Sequence, residues 1–276
     1  RRSSDLCILF ILSMHYFGIW FVLLLCGSKT CDNENNCCVH RGGVFMIYVM
    51  SDIHGKYDKY IQMLKQIHFS EKDTMYILGD MIDRGENGME LLIDLMERKN
   101  VISLMGNHEY MALQCLPWLK TEITDHTVEM LNEEKINGLL LWIYNGGLKS
   151  IEGFKLLSEQ QQDNVIDYLR KLPLYKELWI NEQHYILVHA GLEHFQKEKA
   201  LSKYSVKELV WARPDKDTVY YEDGTVVIVG HTPTFDFLSE ASIATQNSVI
   251  FIDCGACFPE GKLACLCLDD MTEYYV

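Results

Sequence analysis

Positive charge is what this chain has least of. Its 276 residues set 25 Lys and Arg against 39 Asp and Glu, a formal charge of −14, and nowhere do the basic residues cluster. Nucleic-acid surfaces need a basic stripe to meet phosphate backbones, so that class of partner is excluded. An anionic substrate would have to be met by local positive charge. Internal repeats and low-complexity tracts are also missing, and nothing suggests disorder. A disulfide framework is missing too. Cys7, Cys26, Cys31, Cys37 and Cys38 precede Met46, and Cys115, Cys254, Cys257, Cys265 and Cys267 follow it. An odd number scattered through a large domain fits a reducing compartment. Cys254-Gly-Ala-Cys257 with Cys265 and Cys267 invites a zinc reading, but these cysteines alternate with apolar residues along strands, so buried free thiols are expected.

What is present is an apolar fraction of 48%, enough for one large domain with a substantial core and an appendage. Residues 6–25 are almost continuously apolar behind Arg1 and Arg2, about the roughly 20 residues that span a bilayer. They read either as upstream translation outside the native protein, the preferred expectation, or as a membrane anchor or signal segment. Residues 1–45 carry a net charge of +1 and the remainder −15, which sets a boundary there. The expected organisation is a 1–45 extension and a 46–276 catalytic domain, cytoplasmic, with membrane contact only if residues 6–25 are a genuine anchor. Deleting the extension should leave a soluble, active domain.

From Met46 the pattern alternates short apolar runs with helical spacing. The run at 47–50 leads into Ser51-Asp52-Ile53-His54-Gly55 and then a helix on which Tyr57, Ile61 and Leu64 share a face. A second unit carries Gly79-Asp80-Met81-Ile82-Asp83-Arg84-Gly85 between a strand at 74–78 and a helix, and a third carries Gly106-Asn107-His108-Glu109. Strand-to-helix loops are where α/β folds place their chemistry. Residues 115–172 read as a helical insertion beside the site, without ligand clusters. Strands then return near 185–188, 226–229, 249–252 and 263–268, expected to be antiparallel. The fold class is α/β (α+β), a central β-sandwich of two mixed sheets flanked by helices, with the site at the strand-loop-helix junctions.

Each loop holds residues of metal-ligand type. Asp52 and His54, two apart at a strand end, are expected to face one side by the period-two rule. Asp80 and Asn107 follow on the next two loops. His189 and His231 each come directly after an apolar strand run, in Leu187-Val188-His189-Ala190-Gly191 and Val229-Gly230-His231-Thr232-Pro233. One such His is usually just a His. Six N/O ligands without a thiolate suit two divalent ions, Mn first, with Fe or Zn as alternatives. Two ions about 3.5 to 4 Å apart, bridged by Asp80, clamp the attacking and leaving oxygens of an in-line displacement.

These three blocks, in order and with both downstream histidines, resemble the calcineurin-like metallophosphoesterases, and among them the serine/threonine protein phosphatases with their compact bacterial and phage members. The resemblance covers Met46 to about Tyr275. It implies a dimetal β-sandwich that hydrolyses phosphate monoesters with a metal-bound hydroxide and no phosphoenzyme. Matched residue by residue, Asp52, His54, Asp80 and His231 bind one or both metals, and Asn107 and His189 are ligands of the second. His108 is the leaving-group acid, Asp83 orients it, and Arg84 and Arg213 bind phosphate. The partner implied is a phosphorylated protein or peptide.

One position departs from that pattern, because many relatives carry Arg where this chain has Met105. If the strand from Val101 stays extended, Met105 shares parity with Asn107 and borders the phosphate, and Met105→Arg would improve catalysis. If Met105 instead packs under the loop, Arg there would cost stability. Among the remaining candidates, His68, His126, His184 and His194 are expected to be ordinary core or surface histidines. Trp118, Trp142 and Trp179 are expected in the core. Glu109 is either an outer support or a favourable charge at a helix start, and nothing in the sequence brings Lys149 or Lys171 to the site. Three functions remain in view: a phosphoprotein phosphatase, a bis(5'-nucleosyl)-tetraphosphatase sharing the first two blocks, and a non-catalytic binding module.

Overall fold

Three consecutive strand-loop-helix units build the first half: β1 (Ile47–Met50) and α1 (Tyr57–Gln66), β2 (Thr74–Ile77) and α2 (Gly88–Glu97), β3 (Val101–Ser103) and α3 (Asn107–Leu119). The structure is a computed structural model that describes residues 45–120 and 132–276. The apolar run at 6–25, the first five cysteines and His126 lie outside the described residues. Among those described, no helix is long and apolar enough to cross a membrane.

The helical segment comprises α4 (Glu133–Tyr144), α5 (Leu148–Leu156) and α6 (Glu159–Lys171). Helix α6 starts where the sequence supplies a reciprocal cap, Ser158 accepting from the Gln161 N–H while the Gln161 side chain accepts from Ser158. Its amphipathic face buries Val165, Ile166 and Leu169. Strands β4 (Tyr175–Ile180) and β5 (Gln183–Val188) follow. Then come the short helix α7 (Val206–Val210), β6 (Val226–Val229), β7 (Ala244–Gln246), β8 (Val249–Phe251), β9 (Ala264–Cys267) and β10 (Glu273–Tyr275).

The strands form two five-stranded mixed sheets, ordered β10-β9-β1-β2-β3 and β4-β5-β6-β8-β7. Alternation along each strand sends one set of side chains between the sheets and the other beneath the helices. Val49, Tyr76 and Leu266 meet Leu187, Ile228 and Ile250 in the sandwich layer. Tyr48, Met50, Met75, Ile77, Cys265 and Cys267 face the helical side. Each fully buried aliphatic side chain contributes roughly 1.5–3 kcal/mol.

The expected antiparallel back half is corrected here. β5 pairs parallel with β6, and β6 parallel with β8. The long crossovers between them, one carrying α7, allow parallel return. Antiparallel pairing occurs where the connection is tight, as in β4 with β5 and β7 with β8, and where β9 returns to lie beside β1 in the other sheet. Cys115, Cys254, Cys265 and Cys267 are buried free thiols, and Cys257 is free and half-buried. Trp142 is fully buried and Trp118 partly so, but Trp179 is 72% exposed on β4, stacked on His184 at 4.6 Å. Its alternation along β4 points it outward, which a count of apolar residues does not reveal.

Candidate metal centre

All three loops after β1, β2 and β3 open on the same end of the first sheet, because parallel strands with helical returns put their C-terminal ends together. The loops after β5 and β6 bring His189 and His231 to the same place. Asp52, His54, Asp80, Asp83, Arg84 and His231 all have left-handed φ, between 47° and 71°. Outside glycine such backbone costs about 1 kcal/mol or more per residue and gathers at functional sites. It also replaces the expected reason for Asp52 and His54 meeting. β1 ends at Met50, so these two converge through a left-handed loop and not through strand alternation. Gly79, at φ 97°, is required on two counts, since a Cβ there would stand 2.5 Å from the Gly106 nitrogen.

Asp80 is the hub. Its Oδ2 stands 3.6 Å from His54 Nε2, and its Oδ1 stands 3.4 Å from His189 Nε2. Two clusters with ligand-competent atoms share it, His54 with Asp80 and His108, and Asp80 with His189 and His231. Asp52 Oδ1 lies 4.0 Å from His54 Nε2, while its Oδ2 accepts from the His231 N–H and the Ser51 hydroxyl. Asn107 Oδ1 is 2.9 Å from His189 Nε2. All six sequence-predicted ligands therefore lie in one cluster, five of them buried and His231 half-buried.

The histidine rings are prepared to ligate through Nε2. Nδ1 of His54 meets the Ile82 carbonyl at 2.9 Å and Nδ1 of His189 meets the Leu78 carbonyl at 2.7 Å, so each Nδ1 carries the proton and each Nε2 keeps its lone pair. Burial pushes the His54 and His189 imidazoles below their ordinary values, and burial, reinforced by His189, brings His231 down to about 3. All three are neutral at pH 7, the form a cation binds. Burial alone would raise Asp80, but the surrounding histidines, His189 foremost, hold its carboxyl well below the usual range. His231 Nε2 is buried without a hydrogen-bond partner. A buried imidazole nitrogen left unpaired is costly unless a ligand meets it. That orphan, with fixed tautomers and an N/O donor set, fits divalent cations.

His108 and Asp83 form a separate pair at the edge of this cluster. Nδ1 of His108 lies 2.6 Å from Asp83 Oδ2, and its Nε2 lies 3.3 Å from Arg84 Nη2. Burial opposes charge on His108, but Asp80 and Asp83 together raise its pKa above the ordinary value. Asp83 is fully buried, so the stretch around it is no surface turn. Arg84 is solvent-exposed, with Nη1 2.9 Å from His54 Nε2. Arg213, also exposed, donates to Thr232 Oγ1 at 3.3 Å, one residue beyond His231. A cleft of about 630 Å³ is lined by Tyr110, Cys115, Leu141, Lys207 and Trp211 among others, and none of the candidate ligands lines it.

Glu109 is a support. Its fully buried carboxylate accepts the N–H groups of Asp80, Met81, Ile82 and Gly106, joining the second loop to the third. Burial pushes it up to about 7. We expect Glu109→Gln, which brings an NH₂ against this row of N–H donors, to lose binding of added Mn²⁺ by about 10-fold or more in calorimetry. Unchanged affinity would reduce Glu109 to a helix-start charge.

Two residues that reach Asp83 were missed: Trp142 and Ser150, both in the helical segment read as lying beside the site without ligand clusters. Trp142 Nε1 donates to Asp83 Oδ2 at 2.7 Å and Ser150 Oγ to Asp83 Oδ1 at 2.5 Å. Neither residue type is unusual in a helix, so the sequence carried no signal beyond the two glycines, Gly146 and Gly147, between them. Of the two positions open to Met105, the structure takes the packed one, and the phosphate-bordering position is corrected. β3 stops at Ser103, the Met105 N–H donates to the Pro173 carbonyl at 2.9 Å, and the side chain is 5% exposed in the core. Strand parity no longer applies there. Met105→Arg is expected to leave catalytic efficiency unimproved and to lower the melting temperature by roughly 5–15 °C. A more efficient enzyme with unchanged melting would restore the position bordering the phosphate.

Two sheets, five converging loops and paired N/O clusters sharing one aspartate make a site suited to a pair of divalent cations. Comparison with known proteins agrees: the calcineurin-like phosphoesterase family matches residues 45–235, and the chain belongs to that family. Serine/threonine-protein phosphatase 2 of Escherichia coli is 32% identical over 173 residues, covering 60% of this chain and 66% of that protein. The symmetrical bis(5'-nucleosyl)-tetraphosphatase of Nitrosococcus oceani is 30% identical over 149 residues, covering 53% of this chain and 44% of that protein. The chain thus spans only part of the length of these relatives. A solved structure described as a candidate diadenosine tetraphosphatase shares the fold at a TM-score of 0.58 and 16% identity, covering 85% of this chain and 94% of its own. Members of that family are phosphoesterases that use a dimetal site, and the clustered N/O donors here are of the type such a site needs.

Proposed function

We propose that this metallophosphoesterase is a phosphoprotein phosphatase that cleaves phosphoserine and phosphothreonine monoesters. The observation that carries the reading is the buried His108–Asp83 pair, 2.6 Å apart, set beside the exposed Arg84 guanidinium. An alkoxide leaving group needs a proton as the P–O bond breaks, whereas a nucleotide leaving a phosphoanhydride is already a weak base. A proton donor aimed this carefully is useful for the first kind of bond. The Escherichia coli relative named as a serine/threonine-protein phosphatase supports the same reading.

Asp52, His54, Asp80, Asn107, His189 and His231 would hold two divalent cations, with Mn the first choice and Asp80 between them. Bound there, the ions supply Lewis acidity toward phosphate and activate water at neutral pH. Arg84 and Arg213 bind and orient the phosphoryl oxygens, since a guanidinium fork matches them better than a lysine does. Asp83 keeps the His108 proton on Nδ1 when the ring is neutral. The proton given to the leaving oxygen therefore comes from Nε2. The free cysteines support a reducing compartment, the cytoplasm.

A second reading, a symmetrical bis(5'-nucleosyl)-tetraphosphatase, is favoured by how often that name recurs among the relatives. One purified preparation with added Mn²⁺, given phosphoserine and phosphothreonine peptides and diadenosine tetraphosphate, separates the two. Higher kcat/KM on the peptides is expected. A preference for the dinucleotide would replace the first reading by the second.

A further inference from the structure

The geometry points to Trp142 and Ser150 as positioning residues for the proton-donating pair, an assignment that rests on the monoesterase reading above and names alkyl esters as the substrates that need it. Asp83 has no exposed surface. Its Oδ2 accepts from His108 Nδ1 and from Trp142 Nε1, at 2.6 and 2.7 Å. Its Oδ1 accepts from Ser150 Oγ at 2.5 Å, and the same serine oxygen accepts the Asp83 N–H at 2.9 Å. Three donors on two oxygens fix the carboxylate about every rotatable bond. The His108 ring, held by one of those oxygens, is fixed in turn.

The same stretch of chain holds the neighbouring arginine. The Arg84 N–H donates to the Gly146 carbonyl at 3.1 Å. Gly146 has φ 101°, and a Cβ there would stand 2.8 Å from Arg84 Cγ. At Gly147 a Cβ would stand 2.6 Å from the Trp142 indole. The junction between α4 and α5 therefore touches the acid-orienting carboxylate and the phosphate-binding arginine together, 59 and 67 residues beyond Asp83 for the two donors.

A core tryptophan needs only one acceptor for its indole N–H, and any nearby carbonyl would serve. That account explains neither the second donor on the opposite oxygen nor why both converge on the carboxylate that meets His108 Nδ1. A brace explains both. Its consequence is selective: losing a few tenths of an ångström in the aim of Nε2 harms the departure of an alkoxide, which needs the proton, and leaves the departure of an aryl oxide nearly unaffected.

The test compares Trp142→Phe, which keeps the ring and removes the N–H, with Ser150→Ala and Ser150→Thr in the full chain with Mn²⁺. Against a phosphoserine peptide, Trp142→Phe and Ser150→Ala should each lower kcat by about 10- to 100-fold with KM nearly unchanged. Against p-nitrophenyl phosphate the loss should stay below about 3-fold, and Ser150→Thr should recover most of the peptide activity. Mn²⁺ binding by calorimetry should not move. The His108 Nδ1 proton, held between atoms 2.6 Å apart, should give a downfield proton NMR signal in the parent that shifts in both donor-deleted variants. Equal losses on both esters, or no loss with an unmoved proton signal in folded variants, would overturn the brace. A parent chain that hydrolyses neither ester would instead end the monoesterase reading, with the proton signal still deciding the positioning role.

Discussion

Asp80→Asn is expected to lower turnover by about 10³-fold or more. The reason is its place between the two clusters, one carboxylate oxygen 3.6 Å from His54 Nε2 and the other 3.4 Å from His189 Nε2. An amide offers one oxygen, no charge, and an NH₂ that would point at a cation. Two dications a few ångströms apart repel strongly, so the anion between them decides whether the pair is occupied at all. Calorimetric titration of the variant with Mn²⁺ should accordingly show weakened or lost binding alongside the kinetic loss. The fold should persist, because the Asp80 N–H still donates to Glu109 and the surrounding strands do not depend on the side chain. Full turnover by this variant in the presence of a chelator would sink the metal-dependent mechanism.

His108→Asn should behave differently, keeping Mn²⁺ bound while activity on alkyl phosphates falls by about 10²- to 10⁴-fold, or roughly 3–5 kcal/mol. His108 also lies in one of the two clusters, its Nε2 3.7 Å from Asp80 Oδ2, so geometry alone makes it a possible ligand as well as an acid. Metal content distinguishes the roles. An acid leaves binding intact and affects aryl phosphates much less than alkyl ones, because a phenolate departs with little help. A ligand lowers metal content and affects both substrates alike. Equal losses on the two esters would count against His108 as the proton donor.

The contrast between these residues and those missed shows where a sequence informs and where it stops. Asp52 to Gly55, Gly79 to Gly85 and Gly106 to Glu109 are contiguous blocks at strand ends, so their residue types, spacing and strand-loop-helix setting are all written locally. That was enough to bring six candidate ligands, His108, Asp83 and Arg84 to one place, and to expect a sandwich of two sheets. Arg213 was reachable only through a short motif, and its approach to Thr232 beside His231 depends on how two distant loops meet.

Local pattern could not decide what depends on where a strand ends or how a long connection returns. Val101 to Met105 reads as continuous strand, but β3 stops at Ser103, and two residues of irregular backbone turn Met105 into the core. Antiparallel and parallel pairing bury the same alternating residues, so β5, β6 and β8 look identical in sequence under either arrangement. Glu109 was ambiguous because its four partners are backbone N–H groups on two loops, which no side-chain pattern records. Trp142 and Ser150 read as ordinary helix residues, and only packing α4 and α5 against the second loop aims an indole and a hydroxyl at Asp83. The sequence by itself determined the chemical groups of the site and the order of the elements that carry them. The tertiary structure alone decided how those groups are held, because hydrogen bonds between residues far apart in the chain exist only once the core has brought their elements together.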